Sequence, residues 1–184
     1  VFGRRAGMGA ADYIEGRSGD VKLDAAQVQA IIDESLEPFS REQGENPYDI
    51  QRDLQELMQS NVGIIRTGSE LNEAVVKLEE LKERANNVVV KGNTRVYNPA
   101  WNLATDLPAM LTVSTCAALG AQARKESRGG HTREDFPKPD PEFGKVNMVL
   151  SQDNGGGMNA PVKVDPQPIL VMPDDLKVLF EEAK

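Results

Sequence analysis

The residues with the most chemistry in this chain are Arg124, Lys125, Arg128, His131 and Arg133, which fall inside the run Arg124-Lys125-Glu126-Ser127-Arg128-Gly129-Gly130-His131-Thr132-Arg133-Glu134-Asp135-Phe136-Pro137. Three guanidinium groups, an ammonium and the only imidazole of the chain crowd into a short stretch of a protein whose formal net charge is -8. The run follows a long alanine-rich helical segment, so it stands where a helix should end. Cations there favour the exposed last-turn carbonyls and the negative end of the helix dipole. This predicts Arg124 and Lys125 in the last turn, Gly129 or Gly130 as the left-handed residue that helix ends commonly use, and His131 donating to a backbone carbonyl. Cations gathered on one face also create a positive potential that an anion would feel.

Other reactive side chains are isolated. His131 has no second histidine or cysteine nearby, so no transition-metal site is expected. Cys116 lies among alanines and reads as a small buried apolar residue, while Ser114 and Ser127 lack a histidine in any triad-like arrangement. Gly155-Gly156-Gly157 lacks the Gly-Lys-Ser/Thr ending of a phosphate loop. Glu79-Glu80 and Glu181-Glu182 read as solvated faces. No catalytic, cofactor-binding or metal-binding residue is therefore assigned from the residues themselves.

The elements that must position the cluster are helical. Apolar residues make up 39% of the 184 and charged residues 27%, enough for one compact core. The acidic balance argues against a nucleic-acid surface. A single cysteine rules out an internal disulfide and a cysteine-based cluster, and no apolar run long enough to cross a bilayer is read from the sequence. Residues 1–15 read as a helix, followed by a turn at Arg17-Ser18-Gly19-Asp20. A helix from Asp24 carries Val28, Ile31, Ile32 and Leu36 on one face and stops at Pro38.

Three stronger helices follow a break at Gln43–Pro47. Tyr48–Ile65 places Ile50, Leu54, Leu57, Met58 and Val62 on one stripe. A second helix opens at Ser69, with Glu70 and Glu73 at its positive end and Leu71, Ala74, Val75, Leu78, Leu81 and Ala85 as its apolar stripe. A third opens at Asn98-Pro99 and runs to Lys125, kinked at Pro108. Short turns between them specify a mainly α fold, an antiparallel three-helix bundle of the spectrin-repeat kind. Beyond it lies a Pro/Gly-rich extended tail with β-like runs at Val146–Leu150, Val162–Val164 and Ile169–Met172, and a terminal helix at Leu176–Ala183 carrying Leu179 and Phe180.

The run Arg124–His131 resembles the Arg-Lys-Glu-Ser-Arg-Gly-x-His element of succinate dehydrogenase and fumarate reductase flavoprotein subunits. Tyr97-Asn98-Pro99-Ala100-Trp101 resembles the opening of the long helix that this element closes, and the Gly-Arg-x-Ala-Gly start resembles the segment after the last flavin-contacting loop. The resemblance implies a C-terminal piece of a larger flavoenzyme: residues 1–16 a helix left from the FAD-binding domain, 17–128 the helical bundle and 129–184 the tail. It implies FAD in the full-length parent, held by upstream residues, and interconversion of succinate and fumarate. Its implied partners are the upstream FAD-binding and capping domains, an iron–sulfur subunit and, beyond that, quinone. Localisation would be cytoplasmic, on the inner face of the cell membrane through partner subunits. Arg128, His131 and Arg133 become candidates for docking the flavin domain or for placing positive potential near a dicarboxylate pocket. The C-terminal domain of L-aspartate oxidase, and a free-standing helical adaptor, stay open as rival readings.

Overall fold

A computed structural model describes residues 2–17, 22–92, 94–153, 156–174 and 176–177. The chain divides into two units, Val1–Leu36 and Glu37–Lys184. The first unit holds helix α1 (Phe2–Glu15) and most of α2 (Ala25–Ser40). Asp24 caps α2 as expected, its carboxylate accepting from the N–H groups of Ala26 at 2.9 Å and Gln27 at 3.3 Å. Neither helix has a buried residue among those described, so Val28, Ile31 and Ile32 lie exposed.

The second unit is mainly helical with short strands: α3 (Pro47–Asn61), β1 (Ile65–Arg66), α4 (Gly68–Ala85), α5 (Pro99–Ala123), β2 (Thr132–Arg133), β3 (Val146–Ser151) and β4 (Lys163–Pro168). Helix α4 packs against both α3 and α5, and α3 also meets α5. Their stripes meet in one core of Ile50, Leu54, Leu57, Leu71, Ala74, Leu78, Leu81, Leu103, Leu107 and Leu111. Asn46 caps α3, accepting from Tyr48 N–H at 3.1 Å. Asn98 caps α5, accepting from Trp101 N–H at 3.1 Å, with proline at the first helical position. Trp101 then meets Phe39 edge to face at 5.4 Å between ring centroids, which anchors that end of α5.

Several boundaries differ from the periodicity reading. Pro38 does not stop α2, which continues to Ser40. The proline carbonyl instead receives Val90 N–H at 2.9 Å. Helix α3 ends at Asn61, because Ile65–Arg66 leaves the helix to pair in parallel with Thr132–Arg133. A pairing partner 67 positions away (Ile65 with Thr132) leaves no periodic trace. Helix α4 starts one residue early at Gly68, because Thr67 and Glu70 form a reciprocal capping box. Helix α5 stops at Ala123, and Arg124 is already extended at φ -84°, ψ 99°, so Arg124 and Lys125 are not in its last turn. Pro108 lies inside α5.

Val88, Val89 and Val90, which follow α4, are buried. Glu45 N–H bonds Asn87 O and Val89 N–H bonds Glu45 O, each at 2.9 Å. Gly44 makes that approach possible: a Cβ there would stand 2.3 Å from Asn87 O. Strands β3 and β4 form an antiparallel hairpin, in register Val146↔Pro168 through Ser151↔Lys163, and β3 lies against α5. The expected strand at Ile169–Met172 is not formed. Only Ile169 continues the ladder, to Lys145 O at 2.9 Å, and Leu170 is 96% exposed. The expected terminal helix begins with Leu176 and Lys177 N–H groups on Pro173 O at 3.0 and 3.2 Å. Its remainder, with Leu179, Phe180 and Glu181-Glu182, lies outside the described residues, as do Ser18–Asp20 of the first turn and Gly155 of the triple glycine.

One expectation about membranes is corrected as well. Helix α5 is long and apolar enough to cross a bilayer by length and composition, with a mean hydropathy of 1.3 over its best window. Its Leu103, Leu107, Leu111, Thr115, Ala118 and Ala121 are buried residues, which is the other origin of such a composition.

Candidate functional site

The chain leaving α5 wraps around two buried charges, Glu126 and Arg133. Glu126 is fully buried, and its carboxylate is saturated. Oε1 accepts from Arg124 Nη1 at 2.5 Å and Arg128 Nε at 3.0 Å, while Oε2 accepts from Arg128 Nε at 3.1 Å and the Asp140 N–H at 2.8 Å. The Arg128 hydrogen bond, with Asp140 N–H and Arg124, outweighs desolvation and holds the carboxyl down at about 2. Arg124 also donates from Nη1 to Phe143 O and from Nη2 to Val146 O, both at 2.9 Å. Glu126 therefore ties the end of α5 to the start of β3.

Arg133 is the second hub. Its Nε and Nη2 grip Asp135 bidentately at 2.8 and 2.7 Å, and its Nη1 donates to Ala121 O at 3.1 Å, Gln122 O at 3.3 Å and Arg124 O at 3.4 Å. The carbonyls of Ala121 and Gln122 in the last turn of α5 are thus satisfied by the Arg133 side chain, from downstream, and not by that of Arg124 or Lys125. Asp135 Oδ2 also accepts from Gly68 N–H at 3.0 Å, the positive end of α4. Its carboxyl is held at about 2, first by the Arg133 hydrogen bond. The two helix ends are joined through one ion pair.

His131 meets the expectation of a carbonyl partner: its Nε2 lies 3.0 Å from Arg124 O. Its Nδ1 lies 3.2 Å from Nη1 of Arg66. Guanidinium can only donate, so Nδ1 carries no proton and Nε2 carries one. Gly129 does adopt φ +59°, but it serves the tight turn in which Arg128 and His131 exchange backbone hydrogen bonds at 2.8 and 3.0 Å, and not the end of α5. Of the three sequence candidates, Arg128 is exposed, His131 is half-buried and Arg133 is buried. The sequence reading missed Glu126, Asp135 and Arg66. The alternation Arg124-x-Glu126-x-Arg128 and the near-neighbour pair Arg133-x-Asp135 were the available signals; Arg66 had none.

Burial lowers the affinity of His131 for a second proton, and the nearby Arg66, Arg133 and Arg124 lower it further, against the Arg124 carbonyl. The folded pKa thus lies below the unfolded 6.5. Stability is whole above pH 6.5 and falls as pH drops through the folded value, because the unfolded chain takes the proton more readily. His131 is the only imidazole, so its ring resonances report on it alone. The titration midpoint should lie below that of a histidine peptide, and replacing His131 with Gln should flatten this part of the stability profile.

The N-terminus of α4, which follows β1, already has its Gly68 N–H bound to Asp135, and no glycine-rich turn precedes it. Among the described residues no group of three His, Cys, Asp or Glu side chains is placed to hold a metal ion.

A family model described as fumarate reductase flavoprotein C-term matches residues 51–173. The fumarate reductase flavoprotein subunit of Helicobacter pylori J99 is 36% identical over 143 residues, covering 74% of this chain and 20% of the relative. The subunit of the same description from Mycobacterium tuberculosis is 31% identical over 163 residues, covering 85% of this chain and 28% of the relative. A chain of the Mycobacterium smegmatis Sdh1 complex in the apo form superposes with a TM-score of 0.88 at 43% identity, covering 95% of this chain and 30% of that one. The chain thus spans between a fifth and a third of the length of these relatives.

Proposed function

This chain belongs to the fumarate reductase and succinate dehydrogenase flavoprotein C-terminal family, and from that premise we propose that it is the structural and docking domain of such a subunit. Neither rival reading, L-aspartate oxidase or a free-standing adaptor, is favoured by the matches. The whole protein would interconvert succinate and fumarate with FAD, which supplies the hydride chemistry. It would pass electrons to an iron–sulfur subunit and on to quinone, on the inner face of the cell membrane through partner subunits. The upstream FAD-binding and capping domains would hold flavin and substrate. In this chain α3, α4 and α5 act as an antiparallel three-helix bundle, and the Pro-rich segment after it wraps the bundle and the neighbouring domain.

The family match over residues 51–173 carries this reading. The uncovered apolar side chains support it: Val28, Ile31 and Ile32 of α2, and Leu170 and Val171, are all exposed; full burial would gain roughly 1.5–3 kcal/mol for each of the last two and about half of that for each of the α2 residues. Arg128, His131 and Arg133 serve the docking geometry. Arg133 acts from within, by fixing the loop whose outer side carries Arg128.

The chain expressed alone tests the division of labour. It should be helical by circular dichroism, melt cooperatively, remain colourless and show no turnover of succinate with an artificial acceptor. Stoichiometric FAD on the purified chain, or turnover of succinate, would defeat the assignment of flavin and chemistry to the rest of the protein.

A further inference from the structure

Four arginines meet around the loop after α5, and three of them have a carboxylate partner there. Arg124 and Arg128 share Glu126, and Arg133 has Asp135. Arg66 has no carboxylate among the described residues. Its Nε donates to Gly63 O at 2.6 Å and its Nη1 to neutral His131 at 3.2 Å, both uncharged acceptors. It is half-buried and feels the repulsion of Arg133; burial first, then that repulsion, lowers its pKa. A partly desolvated cation without a counter-ion is costly to keep, and nothing in the local fold requires it: Gly63 O and His131 Nδ1 could both be served by a neutral donor.

Strand pairing holds Arg66 firmly in place. Its carbonyl accepts from Glu134 N–H at 3.0 Å, and Thr132 N–H reaches Ile64 O at 3.3 Å. Ile64 and Ile65 beside it are exposed. The arrangement is a fixed guanidinium with donors to spare, rimmed by apolar side chains, which suits a carboxylate on an apolar protein surface. The relatives matched are more than three times as long as this chain, so the larger part of their polypeptide is available as that surface.

We infer that Arg66, and not the arginines singled out by the sequence, is the docking cation of this domain, and that it pairs with an Asp or Glu carboxylate of the remaining part of the same flavoprotein chain. This rests on the docking reading above and names its contact. His131, acting as neutral acceptor, is the positioning residue that aims the guanidinium.

The test uses the full-length flavoprotein without its partner subunits. Arg66→Lys puts a reactive amine at the site, and a water-soluble carbodiimide joins an amine to a carboxylate only where they touch. The expected product is a peptide around position 66 linked to an acidic peptide outside residues 1–184, absent from the unsubstituted protein. Arg128→Lys, treated alike, should link to Glu126 within the loop. A longer amine-reactive linker on Lys125 and Lys138 reports docking of the domain as such. External links from those lysines with none from position 66 would overturn the Arg66 assignment and leave the docking reading standing. No external link from any of them would overturn both. An external carboxylate found only when the iron–sulfur subunit is added would overturn the choice of partner.

If Arg66→Lys does not fold, dicarbonyl labelling of arginines in the unsubstituted protein decides. Arg66 should be protected at low salt and its labelling should rise several-fold in 0.5 M salt (a concentration of about three times the physiological range). Its internal acceptors are neutral and would confer no such dependence, so salt-independent labelling would contradict the inference.

Discussion

Replacing Glu126 with Gln lowers the unfolding free energy by about 3–5 kcal/mol. The cost does not come from lost Coulomb energy alone. The carboxylate is fully buried and accepts from two arginines and one backbone N–H. An amide of the same shape presents an NH2 group to donors and cannot satisfy them, so charges and an N–H are stranded together. Arg124 and Arg128 would then seek water, and Phe143 O and Val146 O would lose the Arg124 donors that join α5 to β3. Urea unfolding of the variant and the unsubstituted chain at pH 7 measures the difference.

The same carboxyl gives the effect a pH signature. Its folded value of about 2 lies below the ordinary 4.5, as that of Asp135 lies at about 2 against 3.8. A depressed carboxyl contributes its full stability above the unfolded value and loses it as pH falls towards the folded one. The gap between Glu126→Gln and the unsubstituted chain should therefore hold above about pH 4.5 and narrow from there to pH 2. A gap that stays constant over that range would show that Glu126 acts by packing and not by charge.

Replacing Arg133 with Lys should cost about 3 kcal/mol, although charge is kept. Arg133 makes a bidentate pair with Asp135 and, at the same time, donates to three carbonyls at the end of α5. An ammonium has no planar fork and cannot span both sets. Either Asp135 or the helix end is left open. Because Asp135 also holds Gly68 N–H, hydrogen exchange at the start of α4 should quicken together with that at the end of α5. Quickening at α5 only would show that the link between the two helix ends is not carried by this ion pair. Arg133 is also 5.0 Å from the Phe136 ring centroid, a contact that lysine would make less well.

The three main helices were legible because each carries a long stripe with a 3.6-residue period and a recognisable start. Leu71, Ala74, Leu78 and Leu81 came out buried together with Ile50, Leu54, Leu103 and Leu107. What escaped the sequence depends on contacts that join distant positions. Strand β1 exists because Ile65 and Arg66 meet Thr132 and Arg133. Val88–Val90 is buried because Gly44 and Glu45 approach it. The basic run was singled out for its cations, yet the acids decide what it does. Glu126 and Asp135 pair with Arg124, Arg128 and Arg133, and the cations of such a run do not by themselves show which charges remain open. Ile169–Met172 has strand-like residues, but it stands between Pro168 and Pro173 and leaves the ladder after Ile169.

Hydrogen exchange, measured on this chain alone and on the full-length flavoprotein that contains it, tests the docking account most directly. Peptides covering Ala25–Leu36 and Ile169–Pro173 carry the uncovered apolar side chains, while Leu71–Leu81 lies in the core. Docking should slow exchange in the first two regions at least tenfold (about 1.4 kcal/mol or more of added protection) and leave the core peptide unchanged. Equal rates in the two proteins for Ala25–Leu36 and for Ile169–Pro173 would contradict the claim that this domain works by packing against the rest of its chain.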